Sequence, residues 1–467
     1  TPQAGESGIP RRPSITASFD LPFQVTSAAG AVSLRGERTG LRTAQLVYPT
    51  QTNGISDLLQ VLLDGSEAPL YPGEKVEVVF DANLLSQLQS GEDTPRKLSP
   101  FVASYRAALG YATGGLGPRE ALTASGTQGL IFAELGELLP YSGLEMLTMT
   151  ASGVVSLLRS GVSGEGASWT LESQLTLPVL PASAVLADLD GDGRSEMVIS
   201  CEDGILRVVK VLGQELIVDD ISHDMGGLVF SLLRVGELNG DQSLDIIGAA
   251  SDGLRIIQST VVIDPVTFEL SRALAVTGVL PMPAPTESLE IADFDRDGRL
   301  DLLVSAGVGL LLRGAGNGSF LESSFLEPAP FGKVVVGDVN GDGWLDAVTP
   351  GNEGLSVHLN PAGAPPLSWT GVSLLTAGAV LDLAVAEVDG DPVAIDDILL
   401  LQDAADPLVM LRRLSPDLGD SELVSLNFVG DVSTADLLLV DTDGDLGTDV
   451  LARQAGAGSD ARAAWRS

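Results

Sequence analysis

The chain reads as short apolar runs of Val, Ile and Leu set between clusters of Gly, Asp and Pro. Runs of roughly four to eight residues bounded by turn residues predict strands. Helical stripes are scarce, so the expected fold class is all-β. Residues 228–278 show the unit. LVFSLLRVGEL predicts a strand running into an acidic loop, LDIIGAA a second strand, SDG a turn, and LRIIQSTVVI and FELSRALAVTG a third and fourth strand.

The acidic segment recurs. ADLDGDGRSEMVIS (187–200) is followed by GELNGDQSLDIIGA (236–249), ADFDRDGRLDLLVS (292–305), GDVNGDGWLDAVTP (337–350) and VDTDGDLGTDVLAR (440–453). AEVDGDPVAIDDILLL (386–401) carries two extra residues before its last acid. AELGELLPYSGLEMLTM (133–149) keeps the apolar flanks but has lost the acids. The first acids of the copies, in chain order, are Glu134, Asp188, Glu237, Asp293, Asp338, Glu387 and Asp441. A period of about 50 residues holds four short strands with their turns, which is one propeller blade. Seven copies therefore predict a seven-bladed β-propeller over 119–467. The last copy leaves room for three strands before Ser467. REALTAS (119–125) is expected to supply the fourth, joining the two ends and removing open sheet edges.

Residues 1–109 lack this repeat. PSITASFDLPF, AVSLRG, AQLVYP, LLQVLL, EKVEVVF and FVASYRAAL predict six or seven strands, as in an Ig-like β-sandwich. LYPGEKVEVVF, a Pro-Gly turn leading into strict alternation, is the strongest strand signal there. GYATGGLGP (110–118) reads as a linker.

Charge narrows the partners. The net charge of −37 argues against nucleic acid and anionic membrane surfaces, which need clustered Lys and Arg. It fits cation binding or a salty exterior. Cys201 is the sole cysteine, so no intramolecular disulfide forms. No apolar run approaches the roughly 18 residues of a membrane helix. A first residue of Thr1 in place of Met is read as a processed N-terminus, an export signal already removed.

The spacing of the acids carries the chemistry. Acids at loop positions 1, 3, 5 and 9 can curl around one point, with Gly at positions 4 and 6 supplying positive φ. A hard cation such as calcium takes six to eight oxygens at about 2.3–2.6 Å. The expected ligands are Asp188, Asp190, Asp192, Glu196 and the main-chain oxygen of Arg194; then Glu237, Asn239, Asp241, Ser243 and Asp245; then Asp293, Asp295, Asp297, Arg299 and Asp301. Further on come Asp338, Asn340, Asp342, Trp344 and Asp346; Glu387, Asp389, Asp391 and Asp397; and Asp441, Asp443, Asp445, Gly447 and Asp449. About five to six calcium ions are expected, with the Glu134 copy empty. An EF-hand would need Glu at position 12 and flanking helices. Position 12 here is Ile199, Gly248, Val304, Thr349 or Ala452, between β-like flanks. Magnesium fits less well, since it demands tighter octahedral geometry. Solvated Asp-Gly turns alone do not account for five such copies at blade spacing.

These loops make residues 130–467 resemble the FG-GAP or VCBS repeat family, the calcium-loop propellers of integrin alpha subunits and of many exported bacterial proteins. RGAGNGSF (313–320) matches that family's Gly-rich hairpin. Residues 8–109 resemble the bacterial Ig-like domain of surface-layer and multidomain secreted proteins, on PSITASFDLPF, VSLRGERTG and LYPGEKVEVVFDANLLS. The resemblance implies export to the exterior or cell surface and calcium loading. It also implies ligand contact at the face opposite the calcium loops, at turns such as CEDG (201–204) and GNEG (351–354).

Catalysis leaves little trace. His223 is expected in a surface loop, His358 within a strand, and Cys201 as a buried thiol. The expected function is a non-enzymatic structural or adhesion module held rigid by calcium, its protein or glycan ligand unknown. Self-association into a fibre or lattice is a further expectation, with the polar start TPQAGESG ordered against a neighbouring copy. A lectin-like or polymer-binding propeller, and a propeller hydrolase or lyase, are the alternatives.

Overall fold

The structure is a computed structural model. It describes residues 10–71, 74–87, 94–107, 120–122, 130–139, 145–163, 166–219, 223–263, 270–326, 332–351, 354–362, 369–376, 378–386, 388, 395–404, 408–413, 421–425, 435–440, 449–454 and 462–465. Among these residues it is all-β, with 36 strands and one four-residue helix. The polar start, the linker segment and the Pro72-Gly73 turn lie outside them.

The N-terminal strands form two sheets around one core. In chain order they are β1 (Ser14–Gln24), then α1 (Val25–Ala28), β2 (Val32–Gly36), β3 (Gly40–Arg42), β4 (Ala44–Val47), β5 (Ile55–Leu63), β6 (Lys75–Phe80) and β7 (Phe101–Arg106). The sheets run β1–β5–β4 and β3–β2–β6–β7. Val76, Val78 and Phe80 of β6 pack with Leu34, Leu59 and Val61 between the sheets. Val79, on the other face of β6, and Val102 of β7 pack instead with Leu238, Ile291 and Leu300 of the repeats. The alternation in KVEVVF thus feeds two separate cores. Removing each such Val or Leu from water contributes about 1.5–3 kcal/mol.

After β8 (Glu120–Leu122) come seven sheets of consecutive strands. The first holds β9 (Leu130–Gly136), β10 (Glu145–Thr150), β11 (Val154–Ser163) and β12 (Gly166–Thr176). The second holds β13 (Pro181–Ala187), β14 (Glu196–Cys201), β15 (Ile205–Leu212) and β16 (Glu215–Val218), with β17 (His223–Asp224) also on β15. The third holds β18 (Leu232–Gly236), β19 (Asp245–Ala250), β20 (Gly253–Ile263) and β21 (Leu270–Pro281), close to the unit read from 228–278. The fourth holds β22 (Ser288–Ala292), β23 (Asp301–Ser305), β24 (Gly309–Gly314) and β25 (Phe320–Leu326). The fifth holds β26 (Val335–Gly337), β27 (Asp346–Gly351), β28 (Gly354–Leu359) and β29 (Thr370–Leu375). The sixth holds β30 (Ala379–Ala386), β31 (Asp397–Asp403), β32 (Leu408–Arg413) and β33 (Ser421–Ser425). The seventh holds β34 (Ala435–Val440), β35 (Asp449–Gln454) and β36 (Arg462–Trp465), and β8 completes it, with Leu122 opposite Arg462. That is the place expected for REALTAS.

Second strands are continuous apolar runs because both their faces are covered. On β14, Met197 and Ile199 pack with Leu147 and Val155 of the preceding sheet, while Val198 packs with Phe230 and Ile246 of the following one. First strands of consecutive sheets lie side by side: β9 with β13, β13 with β18, β18 with β22, β26 with β30 and β30 with β34.

One alignment is corrected by the register. Gly136 pairs with Glu145 just as Ala187 pairs with Glu196. The first copy's position 1 is therefore Glu137, not Glu134, which sits inside β9. The copy has kept acids at positions 1 and 9, Glu137 and Glu145, and carries Leu139 at position 3. The sequence was misleading here because its apolar flank tolerates a three-residue shift.

Candidate metal centres on the acidic loops

Each acidic loop joins the first strand of a sheet to the second. Four are described: 188–196, 237–245, 293–301 and 338–346. The same pairing closes each one, Ala187 to Glu196, Gly236 to Asp245, Ala292 to Asp301 and Gly337 to Asp346.

Backbone amides fold each loop onto its own carboxylates. Asp188 accepts from Gly191 (2.7 Å) and Gly193 (3.2 Å), Asp293 from Asp297 (3.1 Å) and Gly298 (2.9 Å), and Asp338 from Asp342 (3.1 Å) and Gly343 (2.7 Å). Glu237 gathers the amides of Asn239, Gly240 and Asp241 on Oε1 alone. The position-3 side chain accepts from the position-5 amide in all four loops, and position 5 from position 7.

Positions 4 and 6 take positive φ throughout. Gly191 and Gly193 show +76° and +87°, and Gly341 and Gly343 +72° and +83°. Arg296 at position 4 (+56°) and Gln242 at position 6 (+68°) adopt the same conformation without being Gly. Both bear the strain while making long-range contacts. Arg296 donates to the Gly343 carbonyl of the next loop and stacks 4.2 Å from the Trp344 ring centroid. Gln242 donates to Gly30 O (2.7 Å) and to the Asp81 carboxylate.

The end positions are buried: Asp188, Glu196, Glu237, Asp245, Asp293, Asp301, Asp338 and Asp346. Carboxylate oxygens of Asp188, Asp190 and Glu196 lie within 4.8 Å of one another, as do those of Asp293, Asp295 and Asp297. Asp192 and Asp301 stand outside these two groups. The other two described loops carry Asn239 and Asn340 at position 3 and bring no three carboxylates that close. In the loop at 237, Glu237 Oε2 is buried with no hydrogen-bond partner.

Burial and neighbouring acids push these carboxyls up. Glu196 is raised to about 9, Asp301 and Asp346 to about 8, and Glu237, Asp245 and Asp293 to about 7, with loss of hydration the leading cause each time. A bound cation reverses that balance. All the donors are oxygens, and no soft ligand stands among them, which suits a hard cation.

Glu387, Asp389, Asp391, Asp441, Asp443, Asp445 and Gly447 lie outside the described residues. Asp397 and Asp449 open β31 and β35 at the register position of Glu196, opposite Ala386 and Val440. The two extra residues of the sixth copy are thus absorbed within its loop.

The N-terminal sheets dock on the loop end of the repeats, which the sequence did not reveal. Leu41 N–H donates to Asp188 Oδ2 (2.6 Å), Arg35 Nη1 to the Asp188 carbonyl (2.8 Å), and Val102 N–H to the Gly298 carbonyl (2.6 Å). Beside the degenerate loop, Arg42 bridges Glu67 (3.0 Å) and Glu137 (3.3 Å). Behind this contact lies a cavity of ≈ 420 Å³ lined by first strands and by the β2–β3 turn, with Arg35, Arg38, Lys75, Glu134, Arg234 and Glu290 on its wall. Cys201 is buried and His358 lies within strand β28, both as expected. His358 is also buried, its Nε2 3.3 Å from Thr349 Oγ1. His223 is placed in the short strand β17, not in a loop. Among the described residues no helix is long and apolar enough to cross a membrane.

No protein-family model matches the chain, and a search of curated proteins finds no match. Solved structures similar to it include a lectin of Agrocybe aegerita described as recognising non-reducing terminal N-acetylglucosamine. It is 14% identical, with 96% of this chain and 100% of that chain covered and a TM-score of 0.45. Another is BBS1N in complex with ARL6DN, at 13% identity, 75% and 95% coverage and a TM-score of 0.48.

Proposed function

We propose that the chain is a calcium-stabilised, non-enzymatic structural or adhesion module of the cell exterior. In this reading the seven sheets are the blades of an FG-GAP or VCBS-type propeller, and the two N-terminal sheets are an Ig-like domain fixed to its loop face. The observation that carries it is the repeated loop, which in the four described copies buries its first and last acids at one end of the sheet and, in the copy at 237, leaves Glu237 Oε2 without a partner. Buried carboxylates without partners are costly, and a cation offsets that cost. Calcium would be held by Asp188, Asp190 and Glu196, by Glu237, Asn239, Asp241 and Asp245, and by Asp338, Asn340, Asp342 and Asp346. The expected ligand face is the opposite one, where Cys201–Gly204 turns from β14 to β15.

Thermal melting in calcium, magnesium and chelator tests the reading. Calcium should raise the Tm most, and Asp346→Ala should remove part of that gain. A Tm indifferent to chelation overturns it. Turnover of any substrate, abolished by one substitution that leaves folding intact, overturns the non-enzymatic assignment.

A further inference from the structure

The loop at 293–301 carries its own cation. Arg313, at the end of β24, donates from Nε to Asp295 Oδ2 and from Nη2 to Asp297 Oδ2 at 2.9 Å. The Asp295 side chain is 2% exposed beneath it. Arg299 adds a second guanidinium contact to Asp297 at 3.4 Å. These are two of the three carboxylates that converge in this loop.

The register explains how one position reaches the loop. Leu312 pairs with Leu302, the residue after the last loop acid, so Arg313 stands one residue beyond that pair. The same step from Met197–Val209, Ile246–Ile257 and Ala347–His358 gives Lys210, Gln258 and Leu359. Lys210 pairs with Asp219 at 2.7 Å. Gln258 and Leu359 carry no charge. One third-strand position therefore differs in charge from loop to loop, and only at Arg313, among these four, does it seat a guanidinium on loop acids.

We propose that Arg313 is a built-in substitute for a metal ion and the residue that sets cation selectivity among the loops. Its charge-assisted hydrogen bonds occupy oxygens that a divalent ion would need, and its positive charge repels an incoming cation. The loop at 293–301 stays closed without metal and excludes calcium at concentrations that fill the loops beside Gln258 and Leu359. This last comparison rests on the calcium reading; the role of Arg313 in its own loop does not.

The test counts bound calcium by equilibrium dialysis of the full chain. Arg313→Gln should bind about one ion more than the wild type, with that site's affinity up about tenfold or more. Asp295→Asn in that background should return the count to the wild-type value. Leu359→Arg, the reciprocal change, should remove about one ion from the loop at 338–346. Asp295→Asn alone should leave the wild-type count unchanged, a result that needs no change at Arg313. A wild-type count lowered by Asp295→Asn, or a folded Arg313→Gln that gains no ion, overturns the proposal. A wild type that takes up no calcium refutes the loading of the other loops, yet a gain of one ion in Arg313→Gln still supports the role of Arg313.

Discussion

Glu74 holds the turn that brings the N-terminal sheets onto the first full loop, and replacing it tests that connection. The side chain is fully buried. Its Oε1 accepts from Arg38 N–H (2.8 Å), Thr39 N–H (2.7 Å) and Thr39 Oγ1 (2.9 Å), and its Oε2 from Tyr71 N–H (2.8 Å). Two residues beyond Thr39, Leu41 N–H reaches Asp188. Glu74→Ala strands all four donors. A stranded buried donor costs about 1–3 kcal/mol, and partial access of water to Arg38 and Tyr71 keeps the sum near the ~3–5 kcal/mol typical of a broken buried polar group. Glu74→Gln behaves differently. Its amide oxygen can replace Oε1 and keep three of the four bonds, and burial, which pushes the native carboxyl up, no longer opposes a charge. A loss of about 1–2 kcal/mol is expected. Urea unfolding at pH 7 measures both, and the Ala variant should also lose part of its calcium-dependent stabilisation. Equal losses in the two variants, or an Ala loss under about 0.5 kcal/mol, refute the reasoning.

Two further perturbations follow from the same contacts. A Cβ at Gly40 (φ +64°) would lie 2.6 Å from Asp188 Oδ2, whereas one at Gly30 (φ +83°) meets nothing within 4 Å. Gly30→Ala should cost about 1 kcal/mol for its backbone conformation alone, and Gly40→Ala clearly more in the same urea assay; parity would show that the loop yields freely. Glu145, which accepts from Leu138 and Leu139, is raised by burial from 4.5 to about 7. The folded state therefore keeps a proton that the unfolded chain releases, so the contribution is fully present below pH 4.5 and is lost as pH rises to about 7. Glu145→Gln should accordingly gain stability relative to wild type across that window, and a flat or falling difference contradicts the assignment.

The strands were legible because periodicity and turn residues agree along most of the chain. KVEVVF and DIIGAA were each placed nearly to the residue. The acids at positions 1, 3, 5 and 9 announced the loops, and Gly announced the positive φ at positions 4 and 6 except where Arg296 and Gln242 stand there. Three things were not legible. The shift from Glu134 to Glu137 depends on strand pairing, which an apolar flank leaves free to slip. Arg313 is far from its loop in sequence and meets it only through the register of β23 and β24. The docking of β2–β3 onto Asp188 joins residues whose separation of about 150 positions carries no local pattern.

The proposed function stands on calcium in the acidic loops. Elemental analysis of the full chain, purified with calcium and dialysed free of excess, tests it most directly. About three to five calcium ions per chain are expected, with loops at 188–196, 237–245 and 338–346 filled and the loop at 293–301 held by Arg313. A preparation carrying no divalent ion contradicts it.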